Sequence, residues 1–200
     1  MINTYHKYLN LPFKVEPLPM FSELGNDIRH EYVDHYQNSD MDEWVDSLGF
    51  YIVRKEVFYT PPHQKIPIHT DHQSYTNHVK INMTWGPDEG VMRWFKSDKS
   101  KKVDSYGESD TTDFGDKKTN EIVTIKTKAQ HHNLYALEED CELLYEVNTN
   151  RPSLVNVGVL HGTYNPTTEG RWTLCFIPQK DGEYIHWDDS LKIFKDFLDD

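Results

Sequence analysis

The rhythm of the chain changes at Phe50, and that change limits the fold more than any other feature. From there the apolar residues come in short runs rich in β-branched and aromatic side chains. FYIVRKEVFYT is closed by Pro61-Pro62, KIPIHTDH follows, and HVKINMTWG is closed by Gly86-Pro87. GVMRWFK, EIVTIKTK, CELLYEV, SLVNVGVLHG and RWTLCFIP continue the series. Short runs of this composition between turn residues read as strands. A succession of about eight of them predicts a mainly β chain, an antiparallel sandwich or barrel.

The flanks read differently. Leu24, Ile28, Tyr32 and Tyr36 recur at i+4 steps and predict a helix within SELGNDIRHEYVDHYQNS, with Asn38-Ser39-Asp40 as its end or the next cap. MDEWVDSLGF predicts a second, shorter helix stopped by Gly49. Leu191, Phe194, Phe197 and Leu198 have helical spacing and predict a closing helix. Residues 96–120 are charged, rich in Ser, Thr and Gly, and aperiodic, which predicts a long surface insertion. The expected organisation is one domain over 1–200: helical support at 1–49, a β core at 50–178 and a tail at 179–200.

Several function classes lose their basis at once. The chain has no G-x-G-x-x-G, no P-loop and no G-x-S-x-G, so nucleotide-cofactor folds and the commonest hydrolases are disfavoured. A formal net charge of −12 argues against a nucleic-acid partner, because phosphate recognition needs a Lys/Arg patch. Cys141 and Cys175 lack any CxxC spacing and read as reduced thiols of a cytoplasmic protein. The N-terminus does not read as a signal peptide, and no run approaches the roughly 20 apolar residues of a membrane helix. A soluble, cytoplasmic protein is expected.

One constellation carries chemistry. In IPIHTDH, His69 and Asp71 stand at i and i+2, so a strand would project both to one face. Two histidines and one carboxylate on one face of Fe(II) leave open positions for a chelating cosubstrate and O₂. His161, at the end of VNVGVLHG, shares parity with Val155, Val157 and Val159 and supplies the third ligand from a distant strand. His-x-Asp by itself is weak in a chain with 11 histidines, and His186-Trp187-Asp188 repeats it near the C-terminus in a polar setting that reads as a tail feature. Arg171, ten residues after His161 at the start of the next strand, adds specificity. A guanidinium fork grips a carboxylate bidentately, and Thr173 at i+2 offers a hydroxyl beside it.

The runs FYTPPHQKIPIHTDH and PSLVNVGVLHGTYNPTTEGRWTLCFIP resemble the 2-oxoglutarate/Fe(II)-dependent oxygenase superfamily, including its aspartyl/asparaginyl hydroxylase-like and phage-encoded branches. The likeness covers about residues 50–95 and 150–178. It implies a double-stranded β-helix (jelly-roll, cupin-like) core, with His69, Asp71 and His161 on iron and Arg171 on the distal carboxylate of 2-oxoglutarate. Thr173 and Asn82 are implied as further cosubstrate contacts, and Tyr59 as a weaker one. The activity implied is a dioxygenase, a hydroxylase, that consumes O₂ and 2-oxoglutarate and releases succinate and CO₂. Trp85, Trp94, Phe95 and Trp172 are candidate pocket walls. The substrate expected is a small molecule or a protein segment; neither it nor the oligomeric state is legible.

His63, His72, His78, His131 and His132 are alternative ligands. Adjacent residues on a strand face opposite ways, so at most one of His131 and His132 can join the His-x-Asp pair. The competing function is a non-oxygenase cupin-like metal-binding protein or isomerase, which has no use for an arginine ten residues past the last histidine.

Overall fold

Strand parity divides the chain after Phe50 between two interiors, one apolar and one largely polar. The computed structural model describes residues 4–71, 77–107 and 127–199, and side chains within these except at 102–107 and 127–132. Among them are fourteen strands: β1 (His6–Leu9), β2 (Arg29–Tyr32), β3 (Tyr51–Thr60), β4 (Lys65–His69), β5 (Val79–Trp85), β6 (Val91–Lys96), β7 (Lys101–Gly107), β8 (Thr127–Ala136), β9 (Glu142–Asn148), β10 (Ser153–Asn156), β11 (His161–Tyr164), β12 (Arg171–Lys180), β13 (Glu183–Tyr184) and β14 (Leu198–Asp199). The α-helices are α1 (Ser39–Ser47) and α2 (Trp187–Ile193). The protein is mainly β, built on two antiparallel sheets. One runs β14-β1-β10-β5-β12-β3-β2, with β13 beside β12, and the other β7-β8-β4-β11-β6-β9.

Eight of these strands pair as a nest. β3 pairs with β12, β4 with β11, β5 with β10 and β6 with β9, first with last and inward from there. Successive pairs alternate between the sheets, as a long double strand does when it is rolled up.

On β5, most of β12 and residues 56–60 of β3 both faces are covered, so neither shows the polar face of a solvated sheet. Val57, Tyr59, Ile81, Met83, Leu174 and Phe176 point away from the second sheet and pack with Trp44, Phe50, Trp187 and Phe194 of the helical layer. The alternate residues, Glu56, Phe58, Lys80, Asn82, Thr173 and Cys175, face the second sheet and are mostly polar. At one end of that inter-sheet space Met92, Trp94, Val155 and Val157 form an apolar plug. The other end holds the site described below.

Four expectations are corrected. Residues 23–38 are not helical: Arg29–Tyr32 is an edge strand on β3, with Ile28 and His30 buried on alternating parity. The i+4 stripe lost to an unpaired sheet edge that could satisfy this backbone. The shorter helix does form as α1, capped by the Asn38 side chain accepting from the Met41 N–H at 3.0 Å and ended by Gly49 at φ 74°. SLVNVGVLHG is two strands, β10 and β11, in different sheets, and residues 157–160 cross between them. The expected insertion is not all loop, since Lys101–Gly107 pairs with β8; residues 108–120 lie outside the described residues. The closing helix begins earlier, at Trp187, and Leu198 belongs to β14 on β1.

β1 anchors the N-terminal segment and carries a testable acid sensitivity. His6 is buried with Nε2 3.0 Å from the Ser153 hydroxyl, and burial, helped by Lys7, lowers its imidazole to about 4. The unfolded chain titrates near 6.5, so the stabilisation is complete above that pH and is lost as pH falls toward 4, by about 3 kcal/mol. Urea unfolding at pH 7.5 and pH 4.5 should show a smaller acid-induced loss in His6→Gln than in wild type. Equal losses would place the sensitivity elsewhere.

Candidate metal centre

His69 ends β4 and His161 begins β11, and the two are register partners across the antiparallel ladder. Asp71 follows β4 by two residues, its backbone N–H held by the Val157 carbonyl at 3.0 Å. Asp71 Oδ1 lies 3.1 Å from His69 Nε2 and 3.4 Å from His161 Nε2, and the imidazole centroids are 4.7 Å apart. All three ligand atoms lie within 4.8 Å of one another, and among the described residues no other group of His, Cys, Asp and Glu converges this way.

The backbone fixes the tautomers. His69 Nδ1 is 2.7 Å from the Pro67 carbonyl and His161 Nδ1 is 2.8 Å from that of Val159. A carbonyl only accepts, so each Nδ1 carries the proton and each Nε2 offers its lone pair. Burial lowers the His161 imidazole below its ordinary value against the pull of Asp71, which favours the neutral form a ligand needs. Two nitrogen lone pairs directed at one carboxylate oxygen is an arrangement that a cation resolves. The trio therefore fits a divalent metal.

Arg171 lies in the same cavity. The space has a volume of about 580 Å³, its open mouth included, and is lined by the triad together with Phe58, Lys80, Asn82, Thr149, Arg171 and Thr173. Arg171 is 3% exposed, and burial lowers its guanidinium to about 10. Its Nη2 donates to the Thr149 hydroxyl and, at 3.4 Å, to the Thr149 carbonyl. Its Nε has no hydrogen-bond partner, and among the described residues no carboxylate pairs with it. A buried cation without a counter-ion is costly unless something anionic meets it. Gly90 makes the position possible, because a Cβ there would meet Arg171 Cζ at 2.6 Å.

Asn82 and Thr173 also face this space. Asn82 Oδ1 is buried without a partner, and the Thr173 hydroxyl lies 3.3 Å from that of Thr84. Tyr59 does not join them. It has the opposite parity on β3, donates to the Gly25 carbonyl at 3.1 Å and packs on Trp172 at 4.8 Å between centroids. The proposed aromatic walls are likewise displaced: Trp172 packs with Phe21 and Tyr59 outside the cavity, and Trp94 is fully buried with its Nε1 on the Asn156 carbonyl. Phe58 is the aromatic wall instead. Among the alternative histidines, His63 is exposed and His78 pairs with His186 in an isolated bridge. His72 lies outside the described residues, as do the side chains of His131 and His132. His186 and Asp188 are exposed at the start of α2.

The strongest feature that sequence reasoning missed is Lys80. Its ammonium is 2.5 Å from Asp71 Oδ2 and also contacts Glu56, whose other oxygen lies 2.9 Å from His30 Nε2. Burial alone would lower Lys80, but Asp71 and Glu56 outweigh it and hold the ammonium well above its ordinary range. Burial would raise Asp71, but Lys80 holds it well down. A signal existed: Lys80 shares the parity of Asn82 in VKINMTW, a strand otherwise apolar enough to be buried.

No protein-family model matches the chain, and no curated protein matches it either. Among solved structures, AviO1 from Streptomyces viridochromogenes Tue57 is similar with a TM-score of 0.40 and 10% identity, over 92% of this chain and 76% of its own. Peruvianin-I, a cysteine peptidase from Thevetia peruviana latex, gives 0.34 and 9%, over 93% and 96%. Likeness at this level carries no argument about chemistry. Among the described residues no helix is long and apolar enough to cross a membrane.

Proposed function

We propose that this chain is a non-haem Fe(II)- and 2-oxoglutarate-dependent dioxygenase, a hydroxylase built on a double-stranded β-helix. The observation that carries the reading is Arg171, a buried guanidinium with no carboxylate partner among the described residues, in the same cavity as a converging His-Asp-His trio. A metal site by itself has no need of that cation. A dicarboxylate that chelates a metal at one end and meets a guanidinium at the other accounts for both. The nested strand pairing supports the jelly-roll reading, since two four-stranded sheets filled by such a roll are its defining topology.

His69, Asp71 and His161 would hold Fe(II), and Arg171 would clamp the distal carboxylate, with Thr173 and Asn82 as polar neighbours. Bound together there, Fe(II) and 2-oxoglutarate supply oxidation by O₂, with succinate and CO₂ as coproducts. The chain orients: the carbonyls of Pro67 and Val159 hold the two imidazoles, Thr149 holds the guanidinium, and Phe58, Ile66 and Met92 supply apolar wall. Charge favours the same ligand. Asp71, Glu56, Lys80 and Arg171 sum to zero, so a dication is balanced by a dianion. The acidic surface suits a small molecule or a basic protein segment better than nucleic acid. The free thiols of Cys141 and Cys175 suit a cytoplasmic setting.

The test is anaerobic addition of Fe(II) and 2-oxoglutarate to the protein, followed by visible absorption. A weak charge-transfer band that needs both components is expected, with succinate formed when air is admitted. Metal binding without any response to 2-oxoglutarate would favour a cupin-like metal protein and overturn this reading.

A further inference from the structure

We propose that Lys80 is a positioning residue for the metal centre: anchored by Glu56 and His30, it restricts Asp71 to presenting one oxygen to the metal. The inference rests on the metal reading of the triad and extends it to three residues behind the ligands.

The two oxygens of Asp71 have different surroundings. Oδ1 faces the imidazole nitrogens at 3.1 and 3.4 Å, while Oδ2 is 2.5 Å from Lys80 Nζ. A carboxylate binds a metal bidentately only by turning both oxygens to it, and an ammonium on the second oxygen opposes that turn. Asp71 would then supply one donor atom and the histidines two, which would leave room on the metal for a chelating ligand and one more. A bidentate Asp71 would take up part of that room.

Such a lysine needs an anchor of its own, because a dication on Asp71 repels a nearby ammonium. Glu56 provides it. Its Oε1 contacts Lys80 and its Oε2 is 2.9 Å from His30 Nε2, and all three side chains are less than 10% exposed. Burial would raise the Glu56 carboxyl, but Lys80 and His30 bring it down to about 2, so it stays charged. The ion pair spans from β5 to β3 across the intervening β12. At the crossing β12 carries Cys175, the register partner of both Glu56 and Asn82. Its short side chain leaves room for the bridge, and burial pushes its thiol well up, so it stays protonated and adds no charge.

Co(II) is the probe, since its visible bands report coordination number and geometry without turnover. Wild type, Glu56→Gln and the double variant Lys80→Met/Glu56→Gln would be titrated with Co(II), with circular dichroism as a check on folding. The double variant removes opposite charges together, so it leaves fewer buried charges unpaired than Lys80→Met alone. It is expected to bind Co(II) about ten- to a hundredfold more weakly, as partners of metal ligands typically do, with shifted bands. Glu56→Gln, which touches no ligand, is expected to weaken binding about tenfold by itself. Wild-type affinity and bands in both variants would overturn the role of Lys80 while leaving the metal centre intact. Failure of the wild type to bind Co(II) would overturn the metal reading and this inference with it.

Discussion

Arg171→Met is expected to weaken 2-oxoglutarate binding by about two orders of magnitude and, at the same time, to make the ligand-free protein more stable. The first effect follows from losing a bidentate, charge-assisted contact of about 3 kcal/mol at a buried guanidinium. The second follows from burial. A guanidinium that is 3% exposed and lowered to about 10 carries a desolvation cost of about 3 kcal/mol, which Thr149 offsets only in part. Methionine of similar length fills the space without that cost, so a rise of about 1–3 kcal/mol in unfolding free energy is expected. Fe(II) affinity should stay near the wild-type value, because Arg171 touches no metal ligand. The measurements are 2-oxoglutarate titration of the Fe(II) form and urea unfolding of the metal-free form. A variant that is less stable and binds 2-oxoglutarate normally would make Arg171 a structural residue and remove the case for the cosubstrate.

His161→Ala is expected to weaken Fe(II) or Co(II) binding by more than about a hundredfold, beyond the usual cost of losing a partner of a ligand. The fold should persist. Among the described residues the His161 side chain meets only the Val159 carbonyl, through Nδ1, and the other two members of the trio, and the β11 ladder to β4 and β6 is backbone. The loss is therefore one of ligation, and wild-type circular dichroism with absent metal binding is the expected pair of results. Retention of metal by His161→Ala would move the third ligand elsewhere. His72, His131 or His132 would then be tested.

The β content and most strand positions were readable because they rest on local alternation and on turn residues. β3, β5, β6 and β12 fall where FYIVRKEVFYT, HVKINMTWG, GVMRWFK and RWTLCFIP place them. The region from Leu24 to Tyr36 misled because residues four apart share a strand face as well as a helical one. Only the free edge of β3 decides between them. The split of SLVNVGVLHG had a similar cause, since a run of valines carries no mark of where the chain leaves one sheet for the other.

The site divides along the same line. His-x-Asp places two ligands on one face by local geometry, and an arginine at a strand start is visible in the text of the chain. These features determined which residues to suspect. That His161 reaches the same point as His69, that Arg171 is buried with no counter-ion among the described residues, and that Tyr59 faces the wrong way were decided by tertiary structure. So was the chain from Lys80 through Glu56 to His30, three residues that share no motif and lie on three strands. Periodicity tells a residue which face it occupies, but pairing across strands far apart in sequence tells it whom it meets. In a nested sheet nearly every charged contact at the site is of the second kind.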